Sequence, residues 1–155
     1  MNVVVWIIIA IFAITIYPLQ LYIRTRINKK KIKLALNKIH VQVDLKHSLL
    51  KQYIEINKDT IDEDKYLEIE GKLANYMANG CGDVNMLKKF NEVYSSYLFS
   101  FDDSLLQRKC RESEEMIKNI KVYYNNMVVD YNKYKSNKVN KILSKALFID
   151  DEITF

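Results

Sequence analysis

Residues that make turns are scarce in this sequence. It contains one proline and three glycines among 155 residues. Proteins built mainly from β-strands need frequent turns, so this scarcity argues against an all-β architecture and favours helices. The two cysteines, Cys81 and Cys110, lie in dissimilar contexts and cannot make the framework of a disulfide-rich domain. We therefore expect both thiols to be reduced.

Charged side chains are absent from residues 1–23, and cations are concentrated directly after them. Residues 24–33 carry six positive charges and no negative one. Because the formal net charge of the whole chain is +5, residues 34–155 together carry −1. Phosphate binding requires a concentrated positive surface, so we expect no nucleic-acid partner.

The first long feature that is present is an apolar run over residues 3–23. As a helix its 21 residues would measure ~31 Å, which matches a hydrocarbon core of ~30 Å. Trp6 lies near one end of the run, and Tyr17 and Tyr22 lie near the other, where amphipathic aromatic side chains favour the membrane interface. The cations that follow would contact membrane lipid at its headgroups. The expected membrane-interface set is Trp6, Tyr17, Tyr22, Arg24, Arg26, Lys29, Lys30 and Lys31.

A cleaved signal peptide is the main alternative for this run. Such a peptide has a positively charged start, a shorter apolar core and small residues at its cleavage site, and the run has none of these. We therefore interpret it as an uncleaved, single-pass transmembrane anchor in the cell membrane. Positive charges beside a membrane segment stay in the cytoplasm, so we expect the N-terminus outside and residues 24–155 inside.

Helical periodicity continues after the anchor. Apolar residues recur every three or four positions in four stretches, 28–57, 66–78, 84–97 and 104–145. Residues 59–63 are either an N-cap with a capping box from Thr60 to Glu63 or a polar turn inside one longer helix. The last stretch has the a/d seam of a heptad repeat. The seam consists of Leu106, Cys110, Ser113, Ile117, Ile120, Tyr124, Met127, Tyr131 and Tyr134.

Between these stretches, residues 80–82 are expected to make a turn and Asp83 to cap the next helix. The patterns together predict an all-α protein, in which an N-terminal transmembrane helix precedes an elongated antiparallel helical bundle of three long helices or segments and one short helix. We expect a transmembrane anchor at 1–23, a basic juxtamembrane segment at 24–33 and a cytosolic bundle at 34–155. The apolar tail after residue 146 would fold back onto the bundle or the membrane surface.

Residues 114–132 carry a distinctive spacing. Glu114 and Ile117 are followed by Lys121, by the pair Tyr124-Asn125, by Val128 and by the pair Tyr131-Asn132. This spacing resembles the E-N-x-I-A-x-A-R-x-x-Y-N-x-x-V-x-x-Y-N helix of the LemA family, with Glu115 in place of Asn and Lys121 in place of Arg. Upstream, residues 41–54, which include Lys46, are similar to that family's V-Q-L-K-R-R-x-D-L-I-P-N-L-V helix, although its Arg, Asp and Ile-Pro-Asn are replaced.

The resemblance implies a membrane-anchored antiparallel helical bundle without an established catalytic activity. Its signature residues here are Glu114, Tyr124, Asn125, Tyr131 and Asn132. In one interpretation they form a recognition surface for a partner helix. In the other, which we favour, the tyrosines fill the seam and the asparagines hydrogen-bond across the bundle and fix its register. Glu114 and Lys118 also have the i,i+4 spacing of a surface ion pair.

One side-chain group could bind a metal. His40, Asp44 and His47 share a helix face, but residues seven apart lie ~10 Å apart along the axis, so a single ion would contact only one histidine and the carboxylate. The sequence has no nucleophile–base constellation and no phosphate-binding glycine loop. We therefore expect no catalytic, cofactor or metal site, and no enzyme activity.

The sequence favours a membrane-anchored scaffold of the LemA type that assembles with itself or with other membrane proteins of the envelope. Two alternatives stay open. One is a metal-dependent sensor or enzyme that uses His40, Asp44 and His47. The other is a phage-like membrane-active protein, which is suggested by the small size, the anchor and the apolar tail.

Overall fold

The computed structural model describes residues 3–79, 84–100, 102–146 and 155, and it is helical with no strand among them. The five helices are α1 (Val3–Ile56), α2 (Glu63–Asn79), α3 (Val84–Leu98), α4 (Ser104–Ser136) and α5 (Lys138–Ala146). The predicted all-α fold class is therefore confirmed. The expected turn at residues 80–82, the Asp83 cap and most of the apolar tail lie outside the described residues.

Helix α1 is the longest element, with 54 residues. The apolar run and the amphipathic stretch after it form this one helix, as the unbroken periodicity indicates. Pro18 lies inside the helix and lacks the N–H that would donate to the preceding turn. A membrane-spanning helix tolerates such a proline because neighbouring groups satisfy the carbonyl that it leaves open.

The helix breaks between α1 and α2, which rules out the alternative of one longer helix through residue 59. The other alternative, a capping box from Thr60 to Glu63, does not form either. The Thr60 hydroxyl donates backwards to the Asn57 carbonyl at 3.0 Å. Asp62 caps α2 instead, because its Oδ1 accepts from the Asp64 backbone N–H at 3.1 Å.

The last helical stretch is also divided. Asp103 caps α4, with its Oδ1 accepting from the backbone N–H groups of Leu105 at 2.8 Å and Leu106 at 3.0 Å. The sequence predicts one helix to residue 145, but α4 ends at Ser136 and α5 begins after Asn137. The Asn137 carbonyl accepts from the Lys141 N–H at 2.7 Å, the first bond of α5.

The chain forms two compact units, each assembled from segments distant in sequence. We call Met1–Leu34 with Asn125–Thr154 the anchor unit, and Ala35–Tyr124 with Phe155 the bundle unit. The core of the bundle unit contains Ile39, Val43, Leu50, Ile69, Leu87, Tyr94, Leu98, Cys110, Ile117 and Tyr124. In the anchor unit α4 buries Val128 and Tyr131, whereas Met127 is only half-buried. Val128 therefore takes the buried position that was predicted for Met127, whereas Tyr131 is buried as predicted.

Candidate functional site

The first part of α1 leaves its large apolar side chains exposed. Among residues 3–23 these include Trp6, Ile7, Phe12, Ile14 and Leu19. Contiguous apolar surface of this kind is unfavourable in water and favourable in lipid. Of the described helices, α1 is the one that is long and apolar enough to cross a membrane, by length and composition. The length and composition of α1 therefore support a membrane-spanning helix in this part of the chain.

The predicted membrane-interface residues lie on the surface of the anchor unit. Trp6, Tyr17 and Tyr22 are exposed, as are the predicted cations, except that Lys29 is half-buried. The guanidinium carbon of Arg24 lies 4.5 Å from the centroid of the Tyr134 ring. This cation–π contact holds the base of the anchor to α4 with about 0.5–1 kcal/mol. Contact of these side chains with lipid stays a prediction.

Helix α5 is held against the same part of α1. The Tyr17 hydroxyl donates to Asn140 Oδ1 at 2.7 Å, and Asn140 Nδ2 donates to the Tyr134 carbonyl at 2.8 Å. An apolar groove of about 820 Å³ runs beside this contact. Its lining includes Ile9, Phe12, Ile16, Val139 and Leu143. The structure thus places a second, amphipathic helix beside the predicted anchor.

The bundle unit contains a buried charge. The Lys46 side chain on α1 is fully buried, and its ammonium donates to Asn91 Oδ1 at 2.7 Å and Ser95 Oγ at 3.0 Å, both on α3, and to Glu114 Oε1 on α4. The side chain of Glu114 is 30% exposed. An ammonium has three N–H groups, so each finds an acceptor. We call these four residues the Lys46 cluster, and it ties three helices of the bundle unit together.

Burial determines the electrostatics of the Lys46 cluster. It lowers the pKa of Lys46 below the usual 10.5, and the adjacent Glu114 carboxylate opposes that shift. Burial also raises the pKa of the nearby Cys110 thiol, which keeps it protonated and unreactive. A fully buried ammonium cannot reach a substrate. The Lys46 ammonium can therefore hold helices in register, but it is not an accessible nucleophile or base.

The candidate metal ligands all make contacts with other side chains. His40 Nδ1 lies 3.3 Å from Asp44 Oδ2, and the Tyr76 hydroxyl donates to Asp44 Oδ1. His47 Nδ1 lies 3.0 Å from the Tyr94 hydroxyl, and its ring stacks 4.6 Å from that of Tyr76. Within the part of the chain that the structure describes, no group of three His, Cys, Asp or Glu side chains is placed to hold a metal ion.

The signature residues divide between the two units. Tyr124 in the bundle unit and Tyr131 in the anchor unit are buried, while Asn125 and Asn132 are half-buried. Their proposed role in fixing register stays a prediction. Glu114 is not the surface partner of Lys118 that its spacing suggests, because its carboxylate binds Lys46.

The bundle unit also has an apolar groove of about 400 Å³ between α1 and α4. Its lining includes Val41 and Met116, whose side chains are exposed, and Gln42. Gln42 Oε1 is buried and has no hydrogen-bond partner. The groove is therefore an exposed apolar surface, and the unsatisfied Gln42 oxygen lies beneath it.

Sequence reasoning missed Asn91 and Ser95 and did not place Lys46 in the core. Two signals were available. Lys46 and His47 are polar residues at a position where the stripe of α1 is otherwise apolar. Ser113 is likewise a polar residue in the apolar seam of α4. Lys46 and Ser113 are buried contacts in the structure, since the Ser113 hydroxyl donates to the Gln42 carbonyl at 3.2 Å. Polar residues in an apolar stripe mark specific contacts between helices.

Comparison with known proteins adds no relative on which a function could be based: no protein-family model, no curated protein and no solved structure matches this chain.

Proposed function

We propose that this chain is a membrane-anchored helical scaffold of the LemA type, with residues 3–23 crossing the membrane and residues 24–155 in the cytoplasm. The observation that carries the proposal is the continuity of α1, whose exposed apolar part extends without a break into the helix that supplies Lys46 to the bundle unit. Such a protein presents a folded bundle at the membrane, and its function is to bind other proteins there.

One contact joins the two segments that resemble the LemA family. Lys46 belongs to the upstream segment and Glu114 to the downstream one, and the two side chains form an ion pair. This ion pair links α1 to α4 within the bundle unit, as a helical scaffold requires. Membership of the family and the scaffold role both stay proposals.

The proposed binding surface is the groove between α1 and α4. Val41 is 61% exposed and Met116 is 54% exposed, and both line the groove with the unsatisfied Gln42 Oε1. An amphipathic helix from a second copy or from another membrane protein would cover these apolar side chains. A partner that docks there is the expected ligand of the scaffold.

Photo-crosslinking in membranes tests this function. A benzophenone amino acid is placed at Val41 or at Met116 in the full-length chain, and the crosslinked species are separated by mass and identified. Leu67 is the matched control, because it is 57% exposed on α2 and does not line the groove. The proposal predicts discrete adducts from the two groove positions and few from Leu67.

Equal crosslinking at all three positions, or none at any, would contradict the scaffold proposal. The membrane-active alternative makes a different prediction, namely dye leakage from vesicles that contain the chain. A scaffold leaves such vesicles intact.

A further inference from the structure

Helix α5 buries uncharged polar side chains and exposes apolar ones, unlike a helix of a water-soluble bundle. Asn140 and Ser144, four residues apart, are buried, with 2% and 1% of their surface exposed. Val139 and Ile142 are 55% and 72% exposed. In water the apolar residues of an amphipathic helix face the protein, because their burial is the favourable term. A helix that turns polar side chains inward and apolar ones outward is suited to lipid as its surroundings.

The inward face of α5 fits this interpretation. Asn140 is satisfied on both sides, by the Tyr17 hydroxyl and by the Tyr134 carbonyl. Buried polar bonds of this kind and small residues such as Ser144 are typical of helix contacts inside membranes, where apolar side chains gain nothing by facing one another. The two hydrogen bonds therefore attach α5 to the anchor without using its apolar side chains.

The attachment point sets the depth of α5. If residues 3–23 span the hydrocarbon core, Tyr17 lies about 9 Å along the helix from the cytoplasmic end of the span, at 1.5 Å per residue. Asn140 is bonded to the Tyr17 hydroxyl, and Val139 and Leu143 share a groove with Ile9, Phe12 and Ile16. At Asn140, helix α5 therefore lies at the level of the cytoplasmic leaflet, and it continues the apolar surface of the anchor.

The charge of this region indicates which lipids it meets. Lys138, Lys141 and Lys145 lie on one side of α5, at spacings of three and four, beside the apolar side that carries Val139 and Ile142. Residues 131–146 contain five lysines and no acidic residue. A helix with lysines beside an apolar face binds the boundary between headgroups and acyl chains, and it prefers anionic lipids.

We propose that α5 is an interfacial lipid-binding helix, whose Val139, Ile142 and Leu143 enter the cytoplasmic leaflet and whose three lysines bind anionic phospholipid headgroups. The inference rests on the proposed membrane anchor, and it adds a second contact with the bilayer beside that anchor. A second copy of the chain could also cover the apolar face. Lipid is favoured because the face continues the lipid-facing surface of α1 and is bordered by cations.

Depth-dependent fluorescence quenching tests the proposal on the full-length chain. The protein has one tryptophan, Trp6, so the natural chain reports on the anchor. The variant Ile142→Trp/Trp6→Phe moves the reporter to α5, and Ile56→Trp/Trp6→Phe moves it to an 80% exposed site at the end of α1 in the bundle unit. Each is reconstituted in phosphatidylcholine–phosphatidylglycerol vesicles whose acyl chains are brominated.

The expected result is strong loss of fluorescence for the natural chain and for the Ile142→Trp variant, with little loss for the Ile56→Trp variant. If the natural chain is quenched and Ile142→Trp is not, α5 is outside the lipid or covered by protein, and the inference is wrong while the anchor stands. If none of the three is quenched, the anchor and the inference both fail. Val139→Trp/Trp6→Phe is a second reporter on the same face, should circular dichroism show that Ile142→Trp lowers the helix content.

Lipid selectivity tests the role of the lysines separately. Bromine is placed on phosphatidylglycerol alone or on phosphatidylcholine alone, at the same mole fraction. Each lysine in contact with headgroups enriches anionic lipid about five-fold nearby, so brominated phosphatidylglycerol should be the stronger quencher of Ile142→Trp. Lys138→Gln/Lys141→Gln/Lys145→Gln should remove that difference. Equal quenching by both lipids before the substitution would contradict the anionic preference.

Discussion

The two units of the molecule differ in which polar and apolar side chains they bury. The bundle unit buries the charged Lys46 among three acceptors and covers it with an apolar core. The anchor unit exposes isoleucine, phenylalanine and tryptophan on α1 and buries Asn140 and Ser144 of α5. The first arrangement is that of a protein in water, where burial of apolar surface is the driving term. The second suits surroundings that are themselves apolar.

This difference is what a chain that meets two solvents requires, and it involves no change of secondary structure. Both units are helical, and α1 and α4 each contribute to both. What differs is where the polar exceptions lie. In the bundle unit Lys46 is paired inside the core, whereas in the anchor unit Asn140 holds α5 to α1 and apolar side chains of α5 face outward.

The largest effect is expected at the buried ion pair of the bundle unit. Glu114→Leu leaves the Lys46 ammonium buried without its carboxylate, so the free energy of unfolding should fall by about 3 kcal/mol. Urea unfolding of the detergent-solubilised chain, followed by circular dichroism, measures it. The double variant Lys46→Met/Glu114→Leu should recover most of the loss, because neither charge is then unpaired. If the single substitution costs no more than a surface change, the cluster does not hold the bundle unit together.

The next effect is a pH dependence. Burial lowers the pKa of His47 below its usual 6.5, an effect that Asp44 opposes and Lys51 reinforces. As the pH falls through 6.5 the unfolded chain takes up a proton that the folded chain does not, so stability is lost on acidification until the lowered pKa is reached. The slope for one proton is at most ~1.4 kcal/mol per pH unit. His47→Gln should flatten the unfolding free energy over this window, and an unchanged slope in the variant would assign it to other groups.

In the anchor unit a smaller loss is expected from Tyr17→Phe. The substitution removes the donor to Asn140 Oδ1 and leaves that oxygen buried, which costs about 1 kcal/mol. Amide hydrogen exchange in α5 should accelerate by about five-fold if α5 opens locally from α1. Tyr22→Phe, at another exposed tyrosine of the same segment, should leave α5 exchange unchanged. Equal effects of the two substitutions would show that α5 is not attached through Tyr17.

The smallest effect is expected at an ion pair on the surface of the bundle unit. Arg108 Nε lies 3.8 Å from Glu112 Oε1, and both side chains are about two-thirds exposed or more, at 70% and 67%. Water and salt screen such a pair, so Arg108→Ala should change the unfolding free energy by at most about 0.5 kcal/mol. Glu114 lies six residues from Arg108 on the same helix. Comparison of the two substitutions therefore shows whether burial or charge alone causes the loss of stability. A cost similar to that of Glu114→Leu would remove the distinction.

The sequence predicted the parts of the fold that follow from periodicity and composition. The apolar N-terminal helix follows from composition and length, and the buried positions Leu106, Cys110, Ser113 and Ile117 follow from spacing. The break at Asn137 did not, because neither proline nor glycine marks it and the apolar spacing continues past it. The choice of Asp62 over Thr60 as a cap depends on where the preceding helix ends, which local sequence does not determine.

The candidate sites were harder to predict than the helices. The partners of Lys46 come from α3 and α4, 45 to 68 residues away, and only tertiary packing brings Asn91, Ser95 and Glu114 to one point. The same holds for Tyr17 and Asn140, which are 123 residues apart. The sequence did not predict which side of α5 is buried, because the hydrogen bond between Tyr17 and Asn140 determines it.

The measurement that tests the account most directly is protease protection of the full-length chain in bacterial spheroplasts, with an epitope tag after Phe155. The account predicts that protease added outside leaves the tag intact, and that digestion follows once detergent opens the membrane. Loss of the tag from intact spheroplasts would contradict the orientation. Recovery of the protein in the soluble fraction after lysis would contradict the membrane anchor itself.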